Sequence, residues 1–308
     1  MPACWYYIFY SAVWLLTCLP LRVQYFISDL CFILIYYMAG YRRKIALGNL
    51  RMAFPDKSPA EIRRIARHFY RHFCDQFVET MNLMHMGEDE MIRRFRFKNP
   101  EVIDRLYRQN KSIVAVFGHY GNWEWLASLP LRFEYLSCAI YKPLNNKYFD
   151  RLYIRLREKF GVKTIPMSLT LKKMLEYKNS GIPTITLFLT DQRPIRRNIR
   201  YWTRFLGQPT PVLTGAERIA KKTGQAVVFF HIMKRKRGYY EVEFIPITED
   251  PGKTPDFWIT EQHTRILEKT IREQPEYWLW THRRWRHRLE RYREWAEKNK
   301  VSGIEYNL

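Results

Sequence analysis

Between residues 100 and 245 the chain repeats one arrangement: a short apolar run rich in β-branched residues, then a helix-patterned segment, then another run. The runs lie at 112–117, 136–141, 184–189, 226–233 and 240–245, with helical patterns at 123–131, 148–159, 169–178 and 213–222. Runs this short and this continuously apolar read as strands buried on both faces. Strands alternating with helices predict an α/β fold, a central mostly parallel or mixed sheet flanked by helices.

Residues 42–308 form this α/β domain, opened by a helical region at 42–99 and closed by basic helices at 255–300. In the first of these, Ser58 is a natural cap, Pro59 suits the first turn, and Glu61 sits at the capping-box position. Ile62, Ile65, Phe69, Phe73, Phe77 and Met81 then recur at helical spacing, while Arg63, Arg64, Arg67 and Arg71 fall away from that stripe.

The first strand ends in "FGHYGNWEW", residues 117–125. A histidine within reach of a hydroxyl can remove its proton, and a carboxylate on the other ring nitrogen fixes the tautomer and stabilises the imidazolium. His119 and Glu124 would lie about 140° apart on a continuous helix. They can meet only if Gly121 folds the backbone between strand and helix. Asn122 is the expected helix cap, and backbone N–H groups at 121–123 are candidate oxyanion donors. No GxSxG elbow accompanies the pair, so an acyl-enzyme is not expected.

Residues 1–41 hold only two charged side chains, Arg22 and Asp29, and residues 2–21 hold none. Twenty such residues can span a hydrocarbon core. A cleaved signal peptide is disfavoured because no basic segment precedes the apolar run. Three readings stay open: one signal anchor, a platform of two interfacial or re-entrant helices broken around 20–29, or two buried helices of a soluble core. Arg42, Arg43, Lys44 and Arg51 follow, which keeps that flank in the cytoplasm by the positive-inside rule.

Lys and Arg number 52 against 30 Asp and Glu, a net charge of +22 that implies an anionic partner. The five cysteines form no CxxC pair, and they read as small buried hydrophobes in a reducing compartment.

The GHxGNWE form resembles the HxxxxD/E signature of the lysophospholipid acyltransferase-like superfamily, in its lipid A secondary (lauroyl/myristoyl-type) acyltransferase branch. Five further segments match that branch in order. They are "RKIALGNLRMAFPDKSPAEI" (43–62), "YKPLNNKYFD" (141–150), "TDQRP" (190–194), "FLGQPTPVLTG" (205–215) and "QPEYWLWTHRRWRHR" (274–288). The resemblance covers roughly residues 40–290. It implies a glycerol-phosphate-acyltransferase-like fold and transfer of a fatty acyl group from an acyl-carrier-protein thioester to a hydroxyl of a lipid A precursor. It further implies the cytoplasmic face of the inner membrane, with His119 as general base and Glu124 as its orienting partner. The thioester is a co-substrate, and no metal or organic cofactor is required. The partners implied are acidic acyl-carrier protein, an anionic lipid acceptor and inner-membrane lipids.

Candidate substrate contacts are Asn122, Lys142, Asp191, Gln192 and Arg193. Lys142 stands where the branch has Arg, keeping the charge and giving up the bidentate fork. Residues 233–238, "MKRKRG", read as a solvated hairpin tip, and 282–293, "HRRWRHRLERYR", as a membrane-surface helix. His68 and His72 share i,i+4 spacing, which their amphipathic helix explains without a metal. Two rival readings remain: acylation of another lipid acceptor, and a non-catalytic basic protein binding membrane or nucleic acid. The nucleic-acid form lacks zinc spacing, an RNP-like motif or a helix-turn-helix pattern.

Overall fold

A computed structural model describes residues 3–308. Met1 and Pro2, the first two residues of the expected 1–41 segment, lie outside the described residues. Four helices come first: α1 (Ala3–Thr17), α2 (Leu21–Ile33), α3 (Arg43–Ala53) and α4 (Pro59–Asn82). After α5 (Glu88–Arg94) the strands begin, with β1 (Phe95–Phe97), α6 (Glu101–Arg108), β2 (Ile113–Phe117), β3 (Leu136–Tyr141), α7 (Lys147–Glu158) and β4 (Lys163–Pro166). Next come α8 (Thr170–Asn179), β5 (Thr184–Leu189), β6 (Tyr201–Phe205), β7 (Gln208–Pro211), α9 (Gly215–Thr223), β8 (Ala226–Lys236) and β9 (Tyr239–Thr248). The chain closes with α10 (Trp258–Glu273), α11 (Leu289–Lys298) and β10 (Glu305–Asn307).

Seven strands form one sheet in the order β1-β9-β8-β2-β5-β3-β4. All neighbours are parallel except the β8–β9 hairpin, so the expected α/β architecture is what the chain adopts. β2 lies at the centre, and all five of its residues are buried. Val114 and Val116 pack on one face with Phe229, Ile259 and Leu267, while Ile113, Ala115 and Phe117 pack on the other with Trp125, Val228 and Phe230. Two covered faces explain why the strand sequence is apolar without alternation.

The capping box forms: Glu61 N–H donates to Ser58 Oγ, and Ser58 N–H donates to the Glu61 carboxylate. The apolar stripe of α4 departs from expectation near its end, where Phe77 is exposed and Asp75, Gln76 and Glu79 are buried instead. The 123–131 segment is a run of tight three-residue turns. It contains Pro130, which has no N–H to donate to a longer helix.

Two basic segments also differ from expectation. The 233–238 tip is partly docked: Lys234 reaches Asp75, and Arg237 bridges Asp75 to Asp29 of α2. Residues 282–288 are irregular and folded inward, with Arg284 and Trp285 buried. Arg284 donates to the Pro211 carbonyl and Trp285 Nε1 to Thr210 Oγ1. These two contacts to β7 hold the segment down and leave only Leu289–Lys298 helical. Of the cysteines, Cys74 and Cys138 are buried as expected, whereas Cys4 and Cys18 are exposed, because α1 turns apolar residues outward.

At the N-terminus a break at residues 18–20 separates α1 from α2, so the stretch expected as one span is not one helix. With 15 residues, α1 is about 23 Å long, less than a hydrocarbon core of about 30 Å. Leu21–Met38, α2 with one wider turn, is long and apolar enough to cross a membrane by length and composition, and only 22% of it is buried. Two of its polar residues face the protein: Gln24 and Ser28 are buried, and Ser28 donates to Asp75 of α4, while Arg22 is exposed. Val23, Phe26, Leu30 and Ile33 face outward, as do Trp5, Ile8 and Leu15 of α1. This is the reverse of an ordinary surface helix, which buries its apolar stripe.

Candidate active site

Register assembles the site. β2 and β5 pair in parallel with Phe117 opposite Leu189, and Thr190 N–H donates to the Phe117 carbonyl at 3.0 Å. The chains leave the two strands in step, so Gly118–His119 emerges beside Thr190–Asp191. In open α/β sheets this carboxyl end is where ligands bind.

Asp191 is the partner of His119. Its Oδ1 lies 2.6 Å from His119 Nδ1, and its Oδ2 accepts from the His119 backbone N–H at 2.9 Å and from Trp278 Nε1 at 2.8 Å. Burial alone would raise the pKa of this carboxyl. The His119 charge and these hydrogen bonds outweigh it and bring the pKa down to about 2. An ionised Asp191 can only accept, so Nδ1 carries the proton and, in the neutral ring, Nε2 is left as the acceptor. Gln192 Nε2 lies 3.2 Å from His119 Nε2, and the Trp123 ring stands edge-on to the imidazole at 4.8 Å. The His119 side chain keeps 13% exposure against 2% for Asp191: the base is reachable and its partner sealed.

Glu124 does not bond to His119. Its two oxygens accept from Arg157 of α7, at 2.8 Å from Nε and 2.6 Å from Nη2. The expected His119–Glu124 pair is therefore replaced by two pairs, His119–Asp191 and Glu124–Arg157. Strand register delivers Asp191 to the imidazole, whereas the turns after Asn122 aim Glu124 at α7. Burial raises the Glu124 pKa and Arg157 more than offsets it, with a smaller contribution from His119, for a net lowering.

The turn between them is held from behind. Gly121 has φ +61, and a Cβ there would come within 2.9 Å of Ile232. At Gly118 a Cβ would meet Leu267 at 2.8 Å. Gly121 N–H donates to the Tyr277 carbonyl, Leu279 N–H donates to the His119 carbonyl, and His72 of α4 bonds the Gly121 carbonyl through Nε2. Asn122 stands at the expected N-cap position of the 123–131 turns, but its side chain makes no capping bond. It is fully buried, donates to Glu79 Oε2 at 2.8 Å, and presents no surface to a substrate. Tyr240 donates to the same Glu79 oxygen, and Trp125 Nε1 donates to the Glu79 carbonyl. Burial raises the Glu79 pKa.

Of the other sequence candidates, Gln192 lies beside His119, and Arg193 follows it with its backbone N–H donated to His282. Lys142 follows β3, two strands away at the same end of the sheet. It is exposed and without a hydrogen bond among the described residues. Arg157, Trp278 and His72 were not anticipated. Trp278 lies in the 274–288 block already singled out, whereas nothing in the α7 pattern marks Arg157. Distant segments converge here: Asn49 of α3 donates to the Trp280 and His282 carbonyls, both at 2.8 Å.

Comparison with known proteins gives a consistent result. The family model described as bacterial lipid A biosynthesis acyltransferase matches residues 1–287. The lipid A biosynthesis palmitoleoyltransferase of Escherichia coli (strain K12) is 23% identical over 279 residues, 90% of each chain. The lauroyltransferase of the same strain is 24% identical over 288 residues, covering 91% of this chain and 90% of its own. Its myristoyltransferase is 21% identical over 239 residues, 77% and 73% of the two chains.

Proposed function

This chain belongs to the bacterial lipid A biosynthesis acyltransferase family, and we propose that it moves a fatty acyl group from an acyl-carrier-protein thioester to a hydroxyl of a lipid A precursor, with His119 as general base. The observation that carries the chemistry is the Nδ1–Asp191 bond, which leaves Nε2 unprotonated and reachable. The acceptor hydroxyl donates to Nε2 in place of Gln192. As its oxygen attacks the thioester carbonyl, the proton passes to the ring, and Asp191 stabilises the imidazolium. The tetrahedral oxyanion needs a donor, and because Gly121 N–H is committed to Tyr277 and Asn122 is fully buried, the backbone N–H of Trp123 remains. Collapse expels the carrier thiolate, which takes the proton from Nε2 to leave an ester and a free thiol.

The outward apolar faces of α1 and α2 support seating on the inner membrane, and the basic flank at Arg42, Arg43 and Lys44 supports a cytoplasmic position, where an acyl carrier is met. The net charge of +22 supports an acidic carrier and an anionic acceptor. The test uses detergent-solubilised protein, labelled acyl-carrier-protein thioester and an under-acylated lipid A precursor. Addition of one acyl chain, absent in folded His119→Ala, is the expected result. Transfer to a lysophospholipid but not to the precursor would overturn the acceptor assignment.

A further inference from the structure

Glu79 of α4 brings a carboxyl group into the interior, fully buried, and takes no part in the chemistry described above. It is held from two other elements: Tyr25 of α2 donates to Oε1 and Tyr240 of β9 to Oε2, both at 2.8 Å. Tyr25 is itself fixed, with the Arg237 guanidinium 4.5 Å over its ring and Arg237 Nη2 donating to its carbonyl. The third bond, also 2.8 Å, comes to Oε2 from Asn122 Nδ2. Taking a carboxyl group out of water costs free energy that such bonds only offset, and an apolar side chain would fill the same space without that cost. What Glu79 contributes is a fixed place for residue 122.

Residue 122 decides where the next N–H points. Its φ of −110° and ψ of 80° are neither helical nor extended, and because the peptide is planar, that ψ sets the direction of Trp123 N–H. Both peptides beside it are fastened to α4. On one side, the Lys234 ammonium lies 3.3 Å from His72 Nδ1 and can only donate. His72 Nε2 therefore carries the hydrogen and donates to the Gly121 carbonyl at 3.2 Å. On the other side, Trp125 N–H donates to the Asn122 carbonyl at 3.3 Å, and the Trp125 indole donates to the Glu79 carbonyl at 3.1 Å. Glu79 thus grips residue 122 twice, through the Asn122 amide and through Trp125. Trp123 in turn stands against the base, its ring edge-on to His119 at 4.8 Å.

We propose that Glu79 is a positioning residue for acyl transfer, holding Asn122 so that the Trp123 N–H points at the oxyanion that forms beside His119. The task given to that N–H rests on the acyl-transfer reading above.

The test measures kcat and KM on the full chain in detergent, with labelled acyl-carrier-protein thioester and under-acylated lipid A precursor, below the melting temperature of each variant. Glu79→Leu fills similar space without an acceptor and should lower kcat at least about tenfold with KM little changed. That is less than the roughly 10²–10³-fold cost of removing an oxyanion donor outright. Glu79→Gln can accept from Asn122 through its carbonyl and donate its amide to the Tyr25 oxygen, so it should restore most of kcat. Asn122→Ala leaves Glu79 its two tyrosines and should lower kcat as Glu79→Leu does; it carries the test where Glu79→Leu does not fold. The double variant should be no slower than the slower single one, because one residue acts through the other. A kcat near wild type in Glu79→Leu or Asn122→Ala, a Glu79→Gln no faster than Glu79→Leu, or losses that multiply in the double variant would each overturn the proposal. In each of those cases wild-type transfer leaves the acyl-transfer reading standing. A wild type that transfers to no lipid acceptor would instead sink that reading, and the role of Glu79 with it.

Discussion

Two buried carboxylates border His119, and their surroundings differ in kind. Asp191 sits at the tip of β5, positioned by a five-residue parallel register with β2 and bonded by three donors from His119 and Trp278. Glu124 sits in a run of tight turns and is held by one guanidinium from α7. Asp191 is placed by the sheet's centre, Glu124 by a tertiary contact at its flank. The difference teaches that the side chain nearest in sequence to a base is not the one a sheet delivers to it. Parallel strands of matched length bring together residues 72 positions apart more reliably than a turn brings together residues five apart.

The largest expected effect lies at the base both carboxylates surround. His119→Ala should cost on the order of 10²–10⁴-fold in kcat, the range of general-base contributions, with the fold retained by circular dichroism. Activity within a few-fold of wild type would make both carboxylates structural. Next comes the flank. Arg157→Ala leaves Glu124 buried without its cation and should cost about 3 kcal/mol in a denaturant titration, the low end for a broken buried pair, because Arg157 keeps 24% of its side chain exposed. Adding Glu124→Gln should recover part of that loss, and no recovery would mean that the pair is not the source.

The smallest effect is in the acid limb. The folded-state pKa of Asp191 lies near 2, below the ordinary value of 3.8, so its contribution is complete above about pH 4 and fades as pH falls toward 2. That contribution is about 2 kcal/mol. The stability gap between wild type and Asp191→Asn should be full at pH 6, shrink steadily below about pH 4 and close only as pH falls through about 2. A gap that stays constant would show that ionisation is not what stabilises the pair.

Much of this arrangement was legible in the chain. The five long strands, the capping box at Ser58 and Glu61, and His119 in a glycine turn all follow from local pattern, and Asp191 and Gln192 stood out as candidate substrate contacts. The pairing was not legible, because it depends on which strands are neighbours and in what register. The short elements also escaped notice. β1 and β4 have three and four residues, and the β6–β7 hairpin contains two prolines, which a strand pattern does not advertise. The 282–288 segment reads as a basic amphipathic helix by composition. Its fate is set by the buried contacts of Arg284 and Trp285 to β7 and by Asn49 capturing the carbonyls of Trp280 and His282. The two apolar helices were visible as such, but the polarity of α2 required knowing that Ser28 turns to Asp75 of α4 and that the Gln24 amide turns back to the carbonyls of Thr17 and Leu19.

The most direct measurement compares kcat for Asp191→Asn and Glu124→Gln, both folded, in the same acyl-transfer assay. Asn keeps the shape of Asp191 and removes the charge that holds the Nδ1 tautomer, so kcat should fall on the order of 10²–10⁴-fold with KM little changed. Gln at 124 keeps a hydrogen-bond acceptor for Arg157 and should cost at least about tenfold less, since it leaves the His119–Asp191 bond untouched. A near-normal Asp191→Asn beside an inactive Glu124→Gln would contradict the account and make Glu124 the partner of His119 when substrate is bound.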